Sequence, residues 1–246
     1  MSDIVFDIET GALPWDQLER IWQPPEKPGN FDERSVRLGN IKDPAKIREK
    51  IEAAKTRYVE EVANWQHTFE DAKAEFISRA ALSPLTGQVL AVGLKTEAKE
   101  VIVGSDGETE GDILHAFWDI YKRRRASNGR MIGYNCAGFD VPFLVRRSWF
   151  CGVGVPESLY ERGRYLCSTF VDLTLLWSQG TRDPFVKLDT LAKFFGIGGK
   201  PDDCDGGTFA ALWRSDDPAI KQQAAAYLLN DLSMTWKLAE KMGVIQ

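Results

Sequence analysis

The sequence predicts an α/β protein: a mixed β-sheet flanked by helices, with a long helical insertion after the first strand. Two observations lead there. Apolar runs follow the order strand, insertion, two strands, helix, strand, helix, then a further strand and helices. Adjacent early strands followed by alternating helices build a mixed sheet covered on both faces. The second observation is the stretch from Asp43-Pro44 to about Ala81, which carries no Gly or Pro after its first turn. Apolar side chains recur along it at spacings of mostly three and four, as in Ile47, Ile51, Ala54 and Tyr58, then Trp65, Phe69 and Phe76. That is one apolar stripe on one long helix.

The elements follow in order. Ile4 to Ile8 is an apolar run broken by Asp7 and reads as a buried strand. A polar, Pro-rich stretch with Pro24, Pro25 and Pro28 leads to Asp43-Pro44. There Asp suits the N-cap and Pro the first turn of the long helix. Ser83 to Gly87 is a turn. Val89 to Leu94 and Val101 to Val103 are strands, and Asp112 to Arg125 is a helix. Met131 to Tyr134 is a short strand, Val141 to Phe150 a helix, and Thr169 to Leu175 a strand running into a helix. Lys187 to Phe195 is a helix ended by Gly196, Asp205 to Arg214 another, and Asp217-Pro218 opens the last, to about Met242. The whole of residues 1–246 reads as a single domain with an insertion at about 12–81.

Composition limits the function classes. At 246 residues, 43% apolar and 11% aromatic, the chain can bury a sizeable core, which excludes a disordered or collagen-like protein. The net charge of −5 excludes a strongly basic nucleic-acid coat, though not a local basic groove. The opening residues MSDIVFDIET show no signal-peptide pattern, and no run is apolar enough for a membrane helix. None of Cys136, Cys151, Cys167 and Cys204 falls in a C-x-x-C pair, so a structural zinc is not expected and a cytoplasmic, reducing compartment fits. Histidine chemistry has only His67 and His115 to draw on.

Three acidic clusters carry the functional signal. Asp7 and Glu9 lie two apart on a strand and project from one face. Asp140 closes the segment Tyr134 to Asp140, at a strand-to-helix junction. Asp231 lies in the last helix, on one face with Tyr227 four residues before it. Singly, each has a plain explanation: solvated strand-end acids, an N-cap, a surface Asp beside a half-buried Tyr. Together, four carboxylates beside apolar runs need charge compensation. Two divalent cations would supply it, and hard oxygen donors favour Mg²⁺ or Mn²⁺. Two such ions about 4 Å apart form the usual clamp for phosphoryl displacement.

On these residues the chain resembles the DEDD superfamily of 3′→5′ exonucleases, which have an RNase H-like fold. The motif D-x-E is present at Asp7 to Glu9, N-x₃-F-D from Asn135 to Asp140, and Y-x₃-D from Tyr227 to Asp231. The last pattern is similar to the tyrosine branch, DEDDy; the histidine branch would need His near position 226, which is Ala. The second resembles the proofreading domain of family B DNA polymerases and its stand-alone relatives in bacteria and phages. The resemblance covers residues 1–10 and about 82–242.

It implies that Asp7, Glu9, Asp140 and Asp231 hold two metal ions that activate a water and stabilise the leaving 3′ oxygen. Tyr227 would orient that water, since a phenol with a pKa near 10 is a poor general base at neutral pH. The product would be a nucleoside 5′-monophosphate. The resemblance also places the backbone around Ile8 to Thr10 against the 3′ end. Asn135 either hydrogen-bonds near the nucleotide or caps its own turn. Phe139 either packs on the terminal base or sugar or lies in the core. Asp172 and Asp189 read as structural. Lys122 to Arg125, Arg146 with Arg147, and Arg162 with Arg164 are candidate phosphate contacts; Lys122 to Arg125 also suits a helix C-terminus.

The expected substrate is the 3′ end of single-stranded DNA, with RNA as the alternative. A polymerase or other replication protein in trans is an open partner, and no membrane is expected. A reading from another class is a non-catalytic, nucleic-acid-binding replication accessory protein, which would be expected to have lost one of the acids. The helix from 43 to 81 would span roughly 57 Å at about 1.5 Å per residue, and its aromatic stripe needs cover. Packing on the body is the favoured cover; an arch over the substrate and a dimer contact stay open.

Overall fold

The computed structural model describes residues 3–104, 107–159, 168–181, 185–199 and 206–245. In chain order these form β1 (Ile4–Ala12), α1 (Trp15–Leu18), α2 (Pro44–Ala80), β2 (Gly87–Lys95), β3 (Glu100–Val103) and α3 (Glu110–Ala126). Then come β4 (Met131–Gly133), α4 (Asp140–Cys151), β5 (Phe170–Asp172), α5 (Leu173–Ser178), α6 (Leu188–Phe194), α7 (Gly206–Trp213) and α8 (Pro218–Lys241). They divide into two compact units, Met1–Leu13 with Ala80–Gln246, and Pro14–Arg79.

The first unit is a five-stranded mixed sheet in the order β3-β2-β1-β4-β5. β2 runs antiparallel to β1 and β3, while β4 runs parallel to β1 and β5 to β4. Alternation along β1 sorts its side chains between two layers. Ile4, Phe6 and Ile8 join a core with Leu114, Phe117 and Trp118 of α3 and Phe143 and Leu144 of α4. Val5 points the other way, into a cluster with Ile132, Leu191 of α6 and Leu232 and Leu238 of α8. A third cluster packs Phe209 of α7 and Tyr227 and Leu228 of α8 on Ala91 of β2.

Most helix ends follow the chemistry expected of them. Asp43 accepts from the Ala45 amide at 2.9 Å, and Asp217 caps α8 by accepting from the Ala219 amide at 2.8 Å. Thr109 and Asp112 form a reciprocal capping box at the start of α3, and Arg123, Arg124 and Arg125 occupy its last turn. Asp140 is not an N-cap: Phe139 takes that position, and the Asp140 side chain turns elsewhere.

Between the sheet and its outer helices lies a buried ion pair. Arg147, 1% exposed, grips Glu110 with Nε at 2.9 Å and Nη2 at 2.7 Å, and its Nη1 donates to the Pro84 carbonyl at 3.1 Å. Glu110 also accepts from the Val89 amide at 2.8 Å. One guanidinium thus fastens α3, α4, β2 and the 83–87 turn. Arg147 is therefore no phosphate contact, contrary to expectation; its neighbour Arg146 is the exposed one. Arg162, Arg164, Cys167, Cys204 and the expected helix start at Asp205 lie outside the described residues.

The second unit is one long helix with the largely irregular chain ahead of it folded back along it. α2 is 37 residues long, about 55 Å at 1.5 Å per residue. The chain ahead of it lies antiparallel along it and covers the aromatic stripe. Trp22 packs on Phe69 with ring centroids at 4.9 Å and reaches Phe76 at 6.5 Å. Trp65 donates its indole N–H to the Pro25 carbonyl at 3.1 Å, and Phe31 meets Tyr58 at 5.6 Å. Lys73 stands 4.2 Å from the ring centre of Trp15. The stripe therefore finds cover inside the insertion, from the Pro-rich segment that gave no pattern of its own.

Candidate functional site

The site grows from the middle of β1. Asp7 and Glu9 share the face of Val5, which looks toward α8. Opposite them on β2 stand Gly93 and Ala91. A Cβ at Gly93 would come within 2.8 Å of Leu232 and 2.9 Å of Leu228. These small residues let α8 lie close to the sheet, and the approach brings Asp231 to the two strand acids. Carboxylate oxygens of Asp7, Glu9 and Asp231 lie within 4.8 Å of one another. Glu9 and Asp231 are 7% and 6% exposed. Between Glu9 and Thr10 the β1–β2 register slips by one residue, leaving Leu90 as an extra residue on β2.

Asp140, the fourth acid, adjoins this group from α4. Its Oδ1 accepts from the Ile8 amide at 3.1 Å, and it shares a hydrogen bond with Asp7. Burial is the main force raising its pKa to about 7; the Ile8 amide opposes the rise and the charge of Asp172 adds to it. The hydrogen bond from Asp7 opposes the rise as well.

Asp172 does the positioning. At the end of β5 it accepts from the amides of Asn135 at 3.0 Å and Ala137 at 2.8 Å, and from the amide and hydroxyl of Thr174 at 2.8 and 2.7 Å. It pins the 134–140 loop that delivers Asp140. That is the structural role read for it, and Asp189, paired with Lys193 at 2.8 Å, has one too. Asn135 takes a left-handed backbone, φ 58°, as the loop turns. A Cβ at Gly138 would lie 2.4 Å from the Asn135 side-chain oxygen, so any larger residue there would displace that amide.

Of the expected substrate residues, Asn135 thus helps to shape the turn. Phe139 is half-buried, with its ring 5.4 Å from Phe143. Thr10 donates its hydroxyl to the Ala81 carbonyl at 2.7 Å and pairs with Val89 of β2. Tyr227 is buried, 6.3 Å from Phe209 between ring centres.

Tyr134, just past the end of β4, lies at the start of the 134–140 loop. Its hydroxyl donates to the Val186 carbonyl at 2.5 Å, and burial together with Asp172 pushes its pKa up to about 12.

Among the described residues, the groups that converge at the site are carboxylates. Burial raises the Cys136 thiol well above its ordinary range, and burial beside Glu110 takes Cys151 to about 11, so neither is a ready nucleophile. His67 and His115 are both exposed and lie on α2 and α3. A set of three oxygen ligands, two of them buried, fits a hard divalent cation.

A mixed sheet of this order with convergent acids on its central strand defines the class of protein, and comparison places the chain within it. A family signature, RNase_H_2 of the RNase_H superfamily, matches residues 80–243. The chain belongs to that superfamily. The match starts at the end of the insertion, which separates β1 from the rest of the domain. Among solved structures, the chain is similar to the family B DNA polymerase from the hyperthermophilic archaeon Pyrobaculum calidifontis, at 26% identity and a TM-score of 0.53. That similarity covers 67% of this chain and 23% of the polymerase. No curated protein matches.

Proposed function

We propose that the protein is a 3′→5′ exonuclease of the tyrosine branch that releases nucleoside 5′-monophosphates from single-stranded DNA by a two-metal-ion mechanism. One observation carries the reading: acids from residues 7, 9 and 231 converge within 4.8 Å, with Asp140 hydrogen-bonded beside them. The polymerase-like fold and the order of the three motifs support the direction and the substrate.

Asp7, Glu9, Asp140 and Asp231 would hold two Mg²⁺ or Mn²⁺ ions. Bound there, the ions supply water activation and neutralisation of the charge that develops on the phosphoryl oxygens. The chain's residues do the rest. Asp7 and Glu9 present their carboxylates from a rigid central strand, so their separation is fixed before substrate arrives. Asp140 must give up its proton to act as a ligand, and the Ile8 amide steadies the anion that results. Tyr227 orients the attacking water through its hydroxyl. The backbone from Ile8 to Thr10, with Asn135 and Phe139, receives the terminal nucleotide.

The test is a denaturing-gel time course with 5′-labelled DNA and RNA of one sequence, in Mg²⁺, Mn²⁺ or EDTA. The expected result is a metal-dependent ladder shortening from the 3′ end, faster on DNA. Asp7→Ala should lose on the order of a thousandfold or more in rate, since metal ligation supplies several kcal/mol of stabilisation, at about 1.4 kcal/mol per tenfold. Faster digestion of RNA would reassign the substrate, and no shortening of either would favour an accessory protein.

A further inference from the structure

We propose that the distal half of the helical insertion, residues 27–57, is a nucleic-acid-binding element that holds the sugar–phosphate backbone of a single strand. Charge is distributed very unevenly along this insertion. Residues 27–57 carry nine Lys and Arg against five Asp and Glu, a net +4 in a chain whose net charge is −5. The rest of the insertion, 14–26 and 58–79, carries three against eight. A cationic end on an otherwise acidic protein selects a polyanion.

A groove of about 480 Å³ lies at the border of the cationic half, formed where the chain ahead of α2 faces the helix and closed by Tyr58 and Glu61 just beyond it. Lys50, Ala54, Arg57 and Tyr58 share one helix face, and the small Ala54 leaves the space between the two cations open. Arg37 enters from the opposite wall, and Phe31 and Tyr58 form its aromatic floor, with ring centroids 5.6 Å apart. Two acids also line the groove, Asp32, which accepts from the Arg34 amide at 2.9 Å, and Glu61, so the three cations Arg37, Lys50 and Arg57 outnumber them by one. Two guanidinium groups and an ammonium suit phosphates, and aromatic rings beside them suit bases. An acidic peptide would use the cations and leave the rings without a function.

The inference rests on the reading of the protein as one that acts on nucleic acid, but its test needs no hydrolysis. The full-length Asp7→Ala chain in EDTA is titrated into a fluorescein-labelled single-stranded DNA oligonucleotide at several KCl concentrations, and anisotropy is read. The same chain with Arg37→Gln, Lys50→Gln and Arg57→Gln is compared with it. All three positions are exposed, so circular dichroism should be unchanged. Expected are affinity at least about tenfold weaker in low salt, and a log–log salt slope smaller by about 2, at roughly 0.7 per phosphate contact on a single strand. Unchanged affinity and slope would overturn the proposal. So would displacement of the oligonucleotide by polyglutamate as effective as by unlabelled DNA, which would assign the groove to acidic peptides. If the gel shows no hydrolysis while the triple variant still loses binding, the catalytic reading fails alone. Digestion with no change in binding would mean that this inference fails alone.

Discussion

Asp140 is the residue whose environment says most about the site. Burial holds its carboxyl at a pKa of about 7, against an ordinary value near 3.8. A raised carboxyl pKa means that the folded chain binds the proton more tightly than the unfolded chain does. The stability this gives is fully present below about pH 4 and is lost as pH rises through 7. Metal-free protein should therefore melt at progressively lower temperature between about pH 4 and pH 7, and Asp140→Asn should flatten that dependence. Melting curves in EDTA across this range check both statements. A wild-type profile as flat as the variant's would mean that the carboxyl stays ionised in its buried setting. Asp172 accepts four hydrogen bonds, three on Oδ1 and one on Oδ2, which fix the loop that carries Asp140.

Two contacts between elements set the site's accuracy, and neither was visible in the sequence. Gly93 lies under α8 opposite Asp7, where an added Cβ would meet Leu228 and Leu232 at 2.8–2.9 Å. Gly93→Val should cost about 1–3 kcal/mol of stability by overpacking. It should also weaken metal binding by lifting Asp231 from Asp7 and Glu9, which urea unfolding with and without Mn²⁺ would measure. The Arg147–Glu110 pair holds α3 and α4 to β2, and Arg147→Met should destabilise by about 3–5 kcal/mol because it strands a buried carboxylate. Much else was legible. The alternation Val5, Asp7, Glu9 carried the face of β1, and the Asp-Pro pairs at 43 and 217 carried two helix starts. Local chemistry of this kind depends on near neighbours in the chain. Gly93 beneath Leu232, Arg147 on Glu110 and the extra Leu90 in β2 depend on partners far away, so no window of sequence contains them. Arg147 was misread because an Arg-Arg pair on a helix looks like surface until the helix is docked.

At the scale of the whole molecule, the insertion sits inside an RNase_H-superfamily domain without interrupting its sheet. Ala12 pairs with Gly87, and the Ala80 carbonyl accepts from the Thr86 hydroxyl at 2.8 Å, so the insertion leaves and rejoins the sheet at neighbouring points. Replacing residues 14–79 with a short Gly-Ser linker should leave a folded domain that still gains thermal stability from Mn²⁺; loss of cooperative melting would show that the sheet needs the insertion. Among the described residues no helix is long and apolar enough to cross a membrane. The proposed activity requires that acids from both ends of the chain hold the same cations. Calorimetric titration of Mn²⁺ into wild-type, Asp7→Ala and Asp231→Asn proteins tests that directly. Two ions per wild-type chain, with binding weakened at least about tenfold by either substitution, is the expected result. Equal binding by all three proteins would contradict it.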